Sequence, residues 1–260
     1  MSKLLYLARI QVSSELTYVR SFLISKIFLV FVLIVMFNLF KVLYAGRPIF
    51  AGFTIAHILF YLTITETIEM SKYPIHRKIS EEIKDGSCAY ALLRPMSYLS
   101  FHYASSVGTI LVQAAITLSI GLVVSSVISY WPSGMCGNLL LAFPAILLAI
   151  HLNFMVMLII GLAAFYIEET EPVYWIYQKA VFIIGGMLIP HDFFPQWLQA
   201  IVRWLPLTYI SYFPAKMAVH FSWPAFGRGI AMQVLYLAVF WLLAWALYRR
   251  GIKRLEIMGG

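Results

Sequence analysis

Long apolar runs, broken at a few points by short charged or proline-rich stretches, set the pattern of this 260-residue chain. Residues 95–167 include 73 consecutive positions without Asp, Glu, Lys or Arg, and a bilayer core of about 30 Å is crossed by about 20 helical residues. That stretch holds two crossings, joined by a turn at Tyr130-Trp-Pro-Ser-Gly134 whose Tyr130 and Trp131 are placed as interface aromatics. Period-two alternation is absent and the runs exceed the roughly 9 to 11 residues of a barrel strand, so the pattern predicts an all-α integral membrane protein. Six membrane-spanning helices are expected, over residues 22–43, 50–70, 98–130, 139–166, 174–189 and 230–248, in one domain covering 1–260.

The second and third spans are separated by a charged insert, residues 75–95. Pro74 suits a first helical position, Gly86 a left-handed cap, and Arg77/Glu81 and Lys78/Glu82 stand four residues apart. Ile75, Ile79 and Ile83 fall on one face, while Arg77, Lys78, Glu81, Glu82, Lys84 and Asp85 spread over the rest. The pattern predicts a short helix with one buried and one presented side; a solvated helix resting on headgroups is the plain alternative. Near the start, Leu5, Ala8, Val12, Leu16 and Val19 form a helical stripe flanked by Arg9 and Arg20, which predicts an interfacial helix over 1–20. Those residues lack the compact apolar core and small-residue cleavage site of a signal peptide.

Composition agrees, with 62% hydrophobic and 12% charged residues against about 25% charged in an average soluble domain. If both ends are cytoplasmic, 14 of the 19 basic residues face inward, Lys179 among them, as the positive-inside rule requires. The net charge of +8 then reflects orientation and an anionic leaflet, with no call for a nucleic-acid partner. Cys88 and Cys136 fall on opposite sides in this topology, which leaves no intrachain disulfide.

The chain has no G-x-x-x-x-G-K-[ST] loop, so it is not expected to hydrolyse ATP, and H-E-x-x-H, G-x-S-x-G and C-x-x-C are missing too. No metal site or resident cofactor is predicted. Gln113, His151 and Asn153 lie deep in the third and fourth spans, where polar groups serve as interhelical hydrogen bonds or line a path. Glu66 and Glu69 close the second span and read as a solvated helix end. After the short fifth span, residues 185–216 carry Pro190, Pro195, Pro206 and Pro214, with Trp197, Ile201 and Trp204 at helical spacing. This segment predicts short helices re-entering the outer leaflet, its irregular backbone sheltered by protein or water.

An amphipathic N-terminal helix, six spans, a charged insert ending in Tyr90-Ala-Leu-Leu-Arg-Pro95, and a Gly-Gly…Pro…Phe-Phe-Pro…Trp-Leu…Leu-Pro…Phe-Pro tail together resemble the permease subunit of a type-2 ABC exporter. The resemblance covers nearly the whole chain. It implies that Arg77, Lys78, Glu81, Glu82, Lys84 and Asp85 belong to a coupling helix that docks on a separate ATPase, with Glu168, Glu169 and Glu171 as a second contact. It further implies two such ATPases carrying ATP and Mg, a second permease chain, a bacterial plasma-membrane location, and outward movement of a hydrophobic or amphipathic substrate. A pathway between permeases would then be bordered by Gln113, His151 and Asn153 and capped by Phe193, Phe194 and Trp197. The rival readings are a membrane-embedded anchoring or assembly protein, and a proton-coupled carrier using His151 or Glu66; no carboxylate at mid-span supports the latter.

Overall fold

The computed structural model describes residue 24, residues 26–92 and residues 96–258. The interfacial helix expected over 1–20, and Arg94 and Pro95 at the end of the charged insert, lie outside the described residues.

Among the described residues the chain is helical, its one strand-like feature being a tight turn at Phe50–Phe53, where Gly52 takes φ +85°. The helices are α1 (Ile27–Tyr44), α2 (Ile55–Met70), α3 (Ile75–Lys84), α4 (Cys88–Leu92), α5 (Tyr98–Ile128), α6 (Met135–Leu162), α7 (Glu171–Ile183), α8 (Gln196–Val202), α9 (Pro206–Ile210), α10 (Tyr212–Val219) and α11 (Trp223–Met258). Four of the described stretches are long and apolar enough to cross a membrane: Ile27–Tyr44, Tyr98–Ile128, Met135–Phe165 and Trp223–Arg254. The other two predicted spans are the 16-residue α2 and the 13-residue α7, shorter than the roughly 20 residues of a full crossing.

Local chemistry moves the boundaries. The second span, expected from residue 50, starts at Ile55 because the 50–53 turn precedes it and Thr54 caps it: Thr54 Oγ1 accepts from His57 N (3.2 Å) and His57 Nδ1 accepts from Thr54 N (3.3 Å). The last span runs well past residues 230–248 at both ends, to Trp223 and Met258, since its polar flanks continue the helix. Lys179, counted with the inner face from sequence, stands two turns into α7 with its ammonium near the Trp175 and Phe182 rings.

α2 is the centre of the bundle: Ala56 and every residue from Ile58 to Ile68 are buried against α1, α5 and α10. α1 and α11 turn apolar side chains outward, with Phe31 61% and Leu242 68% exposed. An apolar exterior around a packed interior is the burial pattern of a chain solvated by lipid. α11 and α10 lie on α6, where buried Gln233 donates through Nε2 to the carbonyls of Ala145 and Tyr209, both at 2.9 Å. Gln233, a lone amide in an apolar helix, carries no sequence signal of this role.

After α7 the chain leaves helical geometry, and its backbone polar groups are met from α2 and α10. Tyr61 Oη donates to the Gly186 carbonyl, Thr65 Oγ1 donates to that of Met187 (3.1 Å), and Tyr212 N–H donates to that of Gly185 (3.2 Å). Asp192 accepts from Tyr212 Oη at 2.8 Å and pairs with Lys216, which fixes the turn to α10. α8 then presents Trp197 and Ile201, with Trp204 just beyond, as the exposed aromatic edge expected from the sequence.

Candidate functional site

α3 is a short helix with the predicted two sides. Ile75 and Ile79 are fully buried and Ile83 nearly so, whereas Arg77, Glu81, Lys84 and Asp85 are exposed and Lys78 is partly exposed. Pro74 takes the capping position one residue earlier than expected, and Gly86 ends the unit with φ +76°. The buried side seats on α6 at Gly161, where an added Cβ would lie 3.0 Å from His76 Cα and 3.1 Å from Ile79 Cβ. A side chain there would hold the two helices apart.

The ion pairs differ from those expected within the helix. Arg77 Nε donates to Glu171 Oε1 at 2.8 Å, not to Glu81, and Lys84 Nζ meets Glu169 Oε1 at 2.8 Å. Glu82 turns inward, away from Lys78, where it accepts from Tyr98 Oη at 2.8 Å and lies 3.0 Å from His102 Nε2. The reason is geometric: the first turns of α5 bring Tyr98 and His102 to this side of α3, and their donors hold the Glu82 carboxylate. The predicted contact residues therefore separate. Arg77, Lys78, Glu81, Lys84, Asp85, Glu169 and Glu171 belong to the surface, while Glu82 fastens α3 to α5. Exposed pairs of this kind contribute only about 0.2 to 1 kcal/mol each, so the two bridges set the register of two segments more than they stabilise them. The hydrogen bond from Arg77 holds the Glu171 carboxyl below its usual range, and bonds from Ser87 do the same for Asp85.

The result is one charged platform built from α3 and residues 166–171. Beside it a cleft of about 320 Å³ is lined by Ile83, Lys84, residues 164–168 including Glu168, and Arg254. The Arg254 guanidinium lies 4.5 Å from the Tyr166 ring centre, which ties the far end of α11 to the same platform.

Behind the platform lies a polar layer that the sequence did not reveal. His76, 2% exposed, stacks on Tyr174 at 4.1 Å between ring centres and lies 3.7 Å from Glu171. Burial pushes its pKa down, so the Glu171 charge is balanced by Arg77. Glu66 and Glu69, expected at a solvated helix end, are enclosed: Glu66 is 5% exposed, and Glu69 pairs with Lys72 at 2.5 Å and accepts from Gln178 Nε2 at 3.3 Å. The end of α2 is covered by α7 and by the 71–74 turn, which removes the water that a solvated end needs.

The candidate path residues do not converge within one chain. Asn153 is buried and accepts from Tyr177 Oη at 2.5 Å, an α6–α7 hydrogen bond. His151 lines a cleft of about 280 Å³ with Tyr103, Leu147, Leu148, Met155, Leu237 and Trp241. Gln113 is half-buried on α5. Phe193 packs instead into a cluster with Phe40, Phe50 and Phe53, Phe194 lies against His191, and Trp197 is exposed on α8. Among the described residues no group of three or more His, Cys, Asp and Glu is arranged to hold a metal ion.

A charged platform seated on an apolar-skinned helical bundle is the geometry against which relatives can be compared. A family model described as ABC-2 family transporter protein matches residues 29–259. The chain belongs to that family. It is thus a multi-pass membrane permease of the ABC transporter class, as the resemblance of its motifs had implied. The match takes in the platform, the 185–216 segment and all eleven described helices except the first two residues of α1. A comparison with curated proteins found no match.

Proposed function

We propose that this ABC-2 family permease is the membrane-spanning, non-catalytic subunit of an exporter in a bacterial plasma membrane, docking through its α3 platform on separate ATPase subunits that carry ATP and Mg. The observation that carries the reading is the joining of α3 to residues 166–171 by the Arg77–Glu171 and Lys84–Glu169 pairs. Two segments about ninety residues apart in sequence thereby share one charged face. A face that merely needed solvation would not require a second segment registered against it, nor a glycine seat on α6.

In this reading the chain crosses six times, both ends are cytoplasmic, and the exporter holds two ATPases and a second permease. α2 and the 174–189 stretch complete the crossings: α2 is sheathed in protein rather than lipid, and beyond the end of α7 the crossing continues through the non-helical residues 184–189 (Ile-Gly-Gly-Met-Leu-Ile). The outer segment re-enters the leaflet with its backbone satisfied by Tyr61 and Thr65. Phe193, Phe194 and Trp197 lie apart from His151 in one chain, so a pathway capped by them requires the second permease. The cargo is a hydrophobic or amphipathic molecule.

Docking is tested with Lys78→Glu combined with Glu81→Lys, which alters the outward face and spares Glu82. Co-purification of the ATPase and transport-linked ATP hydrolysis should both fall several-fold, because interfacial charge inversions affect assembly while exposed rim charges matter little. Unchanged co-purification and hydrolysis would contradict the docking role.

Orientation needs a different probe from the native thiols, because Cys88 is buried and would stay unlabelled on either side. Asp85→Cys places a thiol on the exposed end of α3. In intact cells an impermeant maleimide should label Cys136 and leave the residue-85 thiol unmodified; the reverse pattern would invert the topology.

A further inference from the structure

The cleft around His151 has a chemistry of its own. His151 Nδ1 lies 2.7 Å from the Leu147 carbonyl oxygen. A carbonyl oxygen only accepts, so Nδ1 carries the proton, and in that tautomer Nε2, on the opposite edge of the ring, holds a lone pair. The other residues lining the cleft are Tyr103, Leu147, Leu148, Met155, Leu237 and Trp241, none of them charged. The Tyr103 ring centre lies 5.9 Å from that of His151 and 6.5 Å from that of Trp241, so aromatic faces border the acceptor.

Depth follows from the helices. Tyr98, at the start of α5, bonds Glu82 of α3, and Tyr103 lies five residues further, about 8 Å along the axis. Gly161 touches α3, and His151 lies ten residues before it, about 15 Å away. The cleft therefore lies around the middle of the membrane, and its acceptor lies at the level of lipid chains rather than headgroups.

These features select an occupant. Pure hydrocarbon would leave an acceptor unsatisfied where no water competes, an unfavourable state in lipid. An anion would meet a lone pair and no cation. We infer that this cleft binds an uncharged, lipid-like amphipath carrying a hydroxyl or amide N–H part-way along its apolar body, with that donor on His151 Nε2 and the body against Leu148, Leu237 and Trp241. The inference concerns binding and stands apart from the docking of an ATPase, so either can fail without the other.

The test uses the purified full chain in phosphatidylcholine nanodiscs and two photoreactive diazirine probes of equal length, one a mid-chain secondary alcohol and the other its methyl ether. The ether keeps the chain and the oxygen, adds one methyl group and loses the donor, and the His151→Phe comparison separates the added bulk from the lost hydrogen bond. The alcohol should label peptides containing Tyr103 and Trp241 about 3- to 15-fold more than the ether, the range expected for one hydrogen bond within a membrane. His151→Gln, which retains an acceptor, should keep a preference, and His151→Phe should abolish it. Leu148→Trp, which fills the cleft, should lower labelling by both probes and provides a second variant if the phenylalanine substitution fails to fold. Equal labelling of the unaltered chain by both probes, a preference surviving His151→Phe, or unchanged labelling of Leu148→Trp would overturn the site.

Discussion

Gly161→Val is expected to abolish ATPase co-purification while leaving the chain inserted in the membrane. At Gly161 a Cβ would lie 3.0 Å from His76 Cα and 3.2 Å from the His76 carbonyl oxygen. Those are backbone atoms, which cannot swing aside as a side-chain tip does. Overpacking of this kind costs about 1 to 3 kcal/mol, and the cheapest relief is for α3 to slide off α6. Arg77 and Lys84 would then lose their register with Glu171 and Glu169. The platform would disperse without any change to its charges. Gly161→Ala should show a weaker form of the same loss, and full ATPase recovery with the valine variant would show that α3 seating is irrelevant to docking.

The contrast between Gly161 and the α3 charges shows what could be read from sequence. Ile75, Ile79 and Ile83 announced a helix with one buried face because helical spacing is a local property, and Gly86 announced its end for the same reason. Whole spans were legible too, since α5 and α6 follow from an uninterrupted apolar run. Partner choice was not legible. Glu82 stands four residues from Lys78, yet it bonds Tyr98 and His102, and Arg77 reaches across to Glu171. Such choices depend on which helix passes beneath, and spacing carries no record of it.

The same limit explains the polar groups. Glu66 and Glu69 read as a solvated terminus, yet Glu66 is buried and Glu69 is held by Lys72 and Gln178; Asn153 reads as an interhelical bond or a path residue, and its oxygen is met by Tyr177. Gln233 gave no signal at all, because a single amide in α11 gains meaning only from the two carbonyls facing it. Sequence located polar residues in the membrane without telling acceptors already occupied from those left open.

A second large effect is expected in the 185–216 segment, from Gly186→Ala. Gly186 adopts φ +75°, and a Cβ there would lie 2.7 Å from the His191 ring and 3.0 Å from Tyr212 Cβ. The backbone term for a non-glycine residue is about 1 to 3 kcal/mol, and crowding adds about as much again. The cost falls on the turn that Tyr61 fastens and that carries Asp192 to Tyr212 and Lys216. A loss of about 2 to 6 kcal/mol is expected, measured as lowered thermal stability in detergent. His191→Ala removes the clash together with the ring's 2.8 Å hydrogen bond to the Ile184 carbonyl, so Gly186→Ala should cost less in the His191→Ala background than in the unaltered chain, with the backbone part remaining. Full stability in the single variant would mean that the turn tolerates displacement.

The central claim is that the face shared by α3 and residues 166–171 is where an ATPase sits, and contact is its most direct measure. A photo-cross-linking amino acid placed at Glu81, on the outward side of α3, should form a covalent adduct with the co-expressed ATPase, while the same group at Trp197 on α8 should form none. Absence of an ATPase adduct from position 81, with one appearing from position 197, would contradict the account.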